Sequence, residues 1–234
     1  MRVAIIQPSY LPWRGYFDII DEVDLFLFFD DVLYPRGRNW RNRNLIKTSA
    51  GRKWLTVPIR HGQSSRTIAE TRIDDTQDWR SRHLNQIFNA YRRAPHFARF
   101  EAGLAEALAS PETSISRLDI HLTKWVMATL DIDTPVVETS SLAASGTKTD
   151  RLIELLTRVG ATSYLSGPTA ADYIDPVKFA VAGIELVYKV YDYAPYPQLG
   201  DGFAAEVSIL DLLFNCGPDA RRHLKSRSPA RPAS

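Results

Sequence analysis

The first thirty residues carry two short, nearly continuous apolar runs, at 2–7 and 24–29, with only enough chain between them to cross once over a sheet. Runs of this length suit strands buried on both faces. Pro8 and Pro12 stop the first run from continuing as strand or helix, Gly15 restarts the chain, and Phe17, Ile19 and Ile20 give a short helix its apolar face. Strand, loop, helix and strand in that order form a βαβ unit, whose right-handed crossover sets both strand ends on one edge of a parallel sheet. The 7–16 loop then lies where open α/β sheets bind ligands, beyond the carboxyl ends of strands. Its Gln7, Tyr10, Trp13, Arg14 and Tyr16 are candidate contacts, and Asp30 and Asp31 end the second run beside it.

Further strand-like runs fall at 135–139, 162–165 and 184–191. Helical periodicity covers 78–93, then a stretch from Pro95 to about 109, then one from Ser114 with Ile115, Leu118, Leu122, Trp125, Val126 and Leu130 on one face. Two more helices are expected at 149–159 and 207–215. Strands alternating with helices predict an α/β fold with a doubly wound, mainly parallel five-stranded sheet. Residues 30–113 would be a large insertion, a β-hairpin plus helices, within one domain spanning 1–224. The hairpin is read from β-like runs at 44–48 and 53–59 flanking Ser49, Ala50 and Gly51. Residues 60–66, with His61 and Gly62, read as an exposed loop, and 225–234, rich in Arg, Ser and Pro, as a disordered tail.

Twenty-nine basic against 27 acidic residues leave a net charge of +2, which gives no global argument for nucleic acid or membrane. A lone Cys216 after Leu212, Leu213 and Phe214 excludes an internal disulfide framework and reads as a buried, inert thiol. No apolar run reaches the length of a membrane helix and no leader precedes the first strand, so a cytoplasmic location is expected. The five histidines show no paired ligand spacing, and His83 lies beside an apolar stripe as a structural residue would. No obligatory metal is predicted, although Asp30 and Asp31 could hold Mg²⁺ through a substrate phosphate. The absence of a Gly-x-Ser-x-Gly elbow weighs against a serine hydrolase.

Three stretches carry chemistry. Ser166, Gly167, Thr169 and Tyr173 follow the 162–165 strand, and a parallel sheet brings them to the edge that holds the 7–16 loop. Small and hydroxyl residues ahead of a helical turn suit a phosphate or carboxylate. Gly146, Thr147, Lys148 and Thr149 stand between a strand and a helix and could hold an anion by the same physics, but without P-loop spacing the preferred reading is a plain helix cap with a solvated lysine. The 36–53 stretch interleaves basic residues with Trp40, Asn42, Asn44 and Trp54; strand alternation would put Arg41 and Arg43 on one face, with forked donors for phosphate or carboxylate.

Residues 6–17 (IQPSYLPWRGYF), 30–34 (DDVLY), 40–47 (WRNRNLIK), 54–58 (WLTVP), 164–167 (YLSG), Tyr196-Pro197-Gln198 and 208–215 (SILDLLFN) resemble the WbqC-like family along nearly the whole chain. The resemblance implies a cytoplasmic enzyme of surface-glycan, O-antigen or specialised-metabolite pathways, acting on an activated sugar or small acceptor. The 10–16 loop between strand and helix is also similar to the nucleotidylyltransferase signature, with Trp13 and Tyr16 at its histidine positions. That likeness implies a nucleotidylyltransferase-type scaffold with a nucleotide or diphosphate pocket. Neither an indole nor a phenol carries the positive charge those histidines supply.

Together these features lead to an expected transferase placing an acyl or aminoacyl group on an amine of a nucleotide-linked sugar or related metabolite. Arg41, Arg43 and Lys47 would hold phosphates, Gln7 and Tyr16 orient the acceptor, and Asp30 or Asp31 act as base. Tyr10, Trp13, Trp40, Asn42, Asn44, Ser166, Gly167, Thr169, Tyr173 and Gln198 complete the expected binding set. The cofactor is left unknown, and a carrier protein or an aminoacyl-tRNA is the expected donor. The alternatives are a non-catalytic nucleotide-sugar- or RNA-binding module and an adenylate-forming ligase or nucleotidylyltransferase.

Overall fold

The computed structural model describes residues 1–62 and 65–233. Residues 63 and 64 of the expected 60–66 loop, and Ser234 of the expected tail, lie outside the described residues.

β1 (Arg2–Ile6), α1 (Arg14–Ile20) and β2 (Leu25–Phe28) form the opening βαβ unit, with β1 and β2 parallel from the Val3–Leu25 pair to the Ile6–Phe28 pair. A second two-stranded sheet, β3 (Arg43–Thr48) with β4 (Gly51–Thr56), is an antiparallel hairpin. Three helices follow, α2 (Trp79–Tyr91), α3 (Phe97–Leu108) and α4 (Ile115–Thr129). The chain then returns to the main sheet through β5 (Val136–Glu138), α5 (Lys148–Arg158), β6 (Ser163–Ser166), α6 (Pro176–Val181), β7 (Glu185–Tyr188), α7 (Ile209–Cys216) and β8 (Arg231–Pro232).

The main sheet has the order β5-β2-β1-β6-β7-β8, parallel except for β8. Side-chain alternation divides its faces: Ala4, Phe26 and Phe28 join the core with α1, α2, α3, α4 and α7, whereas Val3, Ile5 and Leu27 join the core with α5 and α6. Both faces are covered, which explains strands that read as unbroken apolar runs rather than alternating ones. From β1 the chain builds outward through β2 to β5, then returns to the other side of β1 for β6 and β7. The strand order therefore reverses between β1 and β6, and open α/β sheets bind ligands in the crevice outside such a reversal.

Two features differ from the sequence-based expectation. Residues 176–181 form α6, with Pro176 at its first turn and Asp175 accepting from the Val177 N–H, a helix between strands for which no bounds were expected. The 225–233 stretch is tied down: the Ser226 N–H donates to Asp18 at 3.1 Å, the Ser228 hydroxyl donates to Asp192 at 2.9 Å, and β8 pairs with β7. Few apolar residues suggested disorder, but β7 offers an edge of unpaired backbone groups, and Arg and Ser supply donors to two carboxylates. Among the described residues, no helix is long and apolar enough to cross a membrane.

Candidate functional site

A cavity of about 790 Å³ opens at the carboxyl ends of β1, β2 and β6, lined from β1 by Ile5, Ile6 and Gln7 and from β6 by Tyr164, Ser166 and Gly167. This is the reversal point of the sheet, and the volume falls within the range of small-molecule sites. Three cations and one carboxylate reach it: Arg41, Lys148, Arg151 and Asp31. Hydroxyls come from Thr147, Ser166, Thr169, Tyr164, Tyr173 and Tyr191.

Each charged residue arrives by a different route. Arg41 sits in the turn before β3, where Asn39 Oδ1 accepts its backbone N–H at 2.9 Å, and its guanidinium donates to Gln7 Oε1. Its Nε is out of solvent without a partner, and desolvation lowers the guanidinium pKa against the opposing pull of Tyr16, Asp119 and Tyr34. Asp31 accepts a hydrogen bond from the Thr139 hydroxyl at 2.6 Å and pairs with Arg151 on α5. Lys148 opens α5 with φ of 51°, just after Gly146 at φ of 73°, so the chain turns sharply to present the helix start to the cavity. Helix N-termini favour negative ligands through unpaired N–H groups and the aligned peptide dipoles.

The expected site residues divide into two sets. Gln7, Asp31, Arg41, Ser166, Gly167, Thr169 and Tyr173 line the cavity together. The others do not line it, for identifiable reasons. Asp30 is 1% exposed and accepts from the Ser140 N–H and hydroxyl, both at 2.9 Å, and from Thr139 at 3.2 Å, so it fixes the 139–141 turn. Tyr16 packs edge-on against Phe17 and Phe26 and donates to the Gln7 carbonyl at 3.2 Å; burial raises its phenol pKa and leaves it a support for Gln7. Tyr10 is fully buried, with its hydroxyl 2.8 Å from His83 Nδ1.

Trp13 stands edge-on to Tyr191 and Tyr193 and touches the cavity only through Tyr191. Its ring also explains Gly15, where a Cβ would lie 2.4 Å from the indole. Arg14, also a candidate in this loop, donates to the Ala194 carbonyl at 2.9 Å and stacks over Tyr193 and Tyr196.

The hairpin is the clearest correction. Arg41 lies in a turn and β3 begins at Arg43, so strand alternation does not pair the two arginines: Arg41 reaches Gln7 while Arg43 stacks 3.6 Å over Trp54. Asn42 donates to the Val57 carbonyl at 2.8 Å, and Asn44 donates to the Tyr10 and Leu11 carbonyls at 3.1 and 2.9 Å. The Lys47 ammonium donates to the Gly202 carbonyl. Trp40 leans on Trp54 at the surface. Gln198 brackets Ala204 with two hydrogen bonds and donates to the Tyr196 hydroxyl. These residues bind one part of the chain to another.

Three residues outside the expected set belong to this region. Lys148 and Arg151 lie one turn apart on α5; their signal is the Gly-Thr-Lys-Thr stretch, which on spacing alone reads as a plain cap. Asp119 on α4 is fully buried, and both its oxygens lack a hydrogen-bond partner. Burial holds its carboxyl pKa well above the ordinary range, against the pull of the Arg41 cation. Its signal is a charged residue on the Ile115, Leu118 and Leu122 stripe, four residues after one and three before another. Among the described residues, no group of three or more His, Cys, Asp or Glu could hold a metal ion. Cys216 is buried, and desolvation pushes its thiol up to about 11.

Comparison with known proteins places this chain in a family. No solved structure matches the chain. The uncharacterized protein Rv1507c of Mycobacterium tuberculosis is 42% identical over 227 residues, covering 96% of this chain and 97% of that protein. Residues 7–223, which hold β2 to β7, every charged residue of the cavity and the hairpin beside it, match the WbqC-like protein family, and the chain belongs to that family.

Proposed function

We propose that the protein is a transferase that holds a nucleotide-linked sugar or related metabolite in the cavity between β1 and β6 and places an acyl or aminoacyl group on its amine. The observation that carries this reading is the charge of the cavity: Arg41, Lys148, Arg151 and the start of α5 surround a single carboxylate, Asp31. A diphosphate suits such a set, because guanidinium forks and helix N–H groups both match phosphate oxygens. The strand order, reversing at β1 and β6, supports a nucleotidylyltransferase-type arrangement of the nucleotide.

Asp31 is the base in this scheme. In the free protein it is paired with Arg151. A phosphate that takes over Arg151 frees the carboxylate for the substrate amine. The amine nitrogen attacks the acyl carbonyl, a C–N bond forms, and the bond to the donor's leaving group breaks. The proton lost by the nitrogen passes to Asp31 and then to the leaving group. Gln7, held by Arg41 and by the Tyr16 hydroxyl at its own carbonyl, orients the acceptor. The family resemblance supports surface-glycan or specialised-metabolite biosynthesis in the cytoplasm as the setting.

The test is turnover of nucleotide-linked amino sugars with labelled acyl or aminoacyl donors. Asp31→Asn is expected to lower kcat at least about a hundredfold, the scale of general-base catalysis, with a stability loss under about 1 kcal/mol. Full turnover in Asp31→Asn removes the base assignment.

A further inference from the structure

Between Asp31 and Glu70 the chain has nine Lys and Arg residues and no Asp or Glu. The whole protein carries 29 basic and 27 acidic residues, so the remainder holds 20 against 27 and is acidic. The near-neutral net charge thus conceals one strongly positive segment. Arg41 and Lys47 turn inward from it, to Gln7 and Gly202, but Arg36, Arg38, Arg52 and Lys53 are exposed.

The same segment exposes two of the five tryptophans, Trp40 at 47% and Trp54 at 37%. Their ring centroids are 5.3 Å apart. Strand register puts Arg43, Arg52 and Trp54 on one face of the β3–β4 hairpin, since Leu45 pairs with Trp54 and Lys47 with Arg52. Arg43 lies 3.6 Å over the Trp54 ring, and Arg52 makes one exposed contact, 3.5 Å from Glu206. The platform is anchored to the cavity's own loop, because the Trp40 carbonyl accepts from the Tyr10 N–H at 3.1 Å. Leu33 and Arg41, from the same segment, line the cavity.

We propose that this face binds single-stranded nucleic acid, with Trp40 and Trp54 as stacking platforms and Arg36, Arg38, Arg43 and Arg52 on the phosphates. Charge alone fits any polyanion. Exposed indoles interleaved with guanidinium planes fit bases, which stack on both kinds of surface and which every single strand supplies. An acidic protein would use the cations and leave the exposed parts of the indoles unused. Trp40 directly precedes Arg41, which lines the cavity, so the platform and the cavity are joined by adjacent residues. The proposal concerns binding alone and stands whether or not the cavity carries out transfer.

The experiment is fluorescence anisotropy of the full chain with a labelled oligouridylate of about twelve nucleotides, at 50 and 200 mM salt. Four phosphate contacts at about 0.7 per contact on the log–log salt slope predict binding about fiftyfold weaker at the higher salt. Trp40→Ala and Trp54→Ala, each confirmed folded by its thermal midpoint, are each expected to weaken binding by about five- to a hundredfold. Trp40→Ala carries the test alone if Trp54→Ala does not fold, because Trp40 is the more exposed ring. Absence of binding at 50 mM salt overturns the proposal. So does binding that both tryptophan variants retain in full, or a competing acidic protein or anionic vesicle that binds at lower concentration with the same indifference to the tryptophans.

Discussion

The segments that follow β1 and β6 occupy neighbouring places at one edge of the sheet and use their side chains in opposite ways. The segment after β1 is dense with polar and aromatic groups, yet Tyr10 and Leu11 are fully buried and Arg14 is bound to backbone carbonyls across the fold. Of the residues between 7 and 16, only Gln7 lines the cavity. The segment after β6 has the composition of an ordinary turn, but Ser166, Gly167, Thr169 and Tyr173 all line it. A proline-rich loop cannot satisfy its own backbone, so it needs anchors: Asn44 serves its carbonyls, and the Ile209 N–H serves that of Pro12. The turn after β6 is anchored locally, its Ser166 carbonyl by the Lys189 N–H and its Gly167 carbonyl by the Ala170 N–H, and it leaves Thr169 and Tyr173 exposed.

If this contrast holds, variants in the segment after β1 lose stability and variants on the opposite side of the cavity lose binding. The largest effect is expected from Tyr10→Ala, which empties a fully buried ring position and should cost about 3–5 kcal/mol in chemical denaturation. A loss under about 1 kcal/mol would remove the loop from the core.

The next effect is a pH dependence at the Tyr10 partner. Desolvation lowers the His83 pKa from 6.5 to about 4, so the unfolded chain takes up the proton first as pH falls. Stability is therefore full above pH 6.5 and is lost as pH falls toward 4, by about 3 kcal/mol at about 1.4 kcal/mol per unit. His83→Gln should lack this acid limb, and an unaltered limb in that variant would place its origin elsewhere.

Adjacent carboxylates give a finer test. Asp30→Ala removes a buried carboxylate that accepts from the Thr139 hydroxyl and from the Ser140 N–H and hydroxyl, and should cost about 1.5–3 kcal/mol. Asp31→Asn, whose partner Arg151 is partly exposed, should cost less than about 1 kcal/mol. Equal losses would erase the distinction drawn between them. Smallest of all, Lys148→Ala should change stability by no more than about 0.5 kcal/mol, as an exposed substitution does. Its thermal midpoint checks that before any binding measurement.

Much of the fold is legible in the sequence because each element carries its own signal. Unbroken apolar runs mark β1 and β2, and stripes such as Ile115, Leu118, Leu122 and Val126 mark α4. The order of strands follows from short connections and a fixed crossover hand. The site is legible only in part. Gln7 and Ser166 are found because a strand end locates them. Arg43 and Lys47 are misread because side-chain type does not reveal whether a cation meets a ligand, an indole or a carbonyl. The turn that separates Arg41 from Arg43 depends on Asn39, four residues beyond a proline, and strand periodicity carries no trace of it. Lys148 and Arg151 are underrated because a helix cap and an anion site use the same residues. Asp119 does leave a trace, as a charge on an apolar stripe.

Whether the cavity between β1 and β6 takes a phosphate-bearing metabolite through Lys148 and its neighbours is tested most directly by thermal midpoints. The wild type and Lys148→Ala are compared across nucleotides, nucleotide-sugars and inorganic diphosphate. A ligand at about a hundred times its Kd is expected to stabilise the wild type by about 2.7 kcal/mol, with most of that gain lost at the same concentration in Lys148→Ala. No stabilisation by any of these compounds, or equal stabilisation of both proteins, contradicts a phosphate site in this cavity.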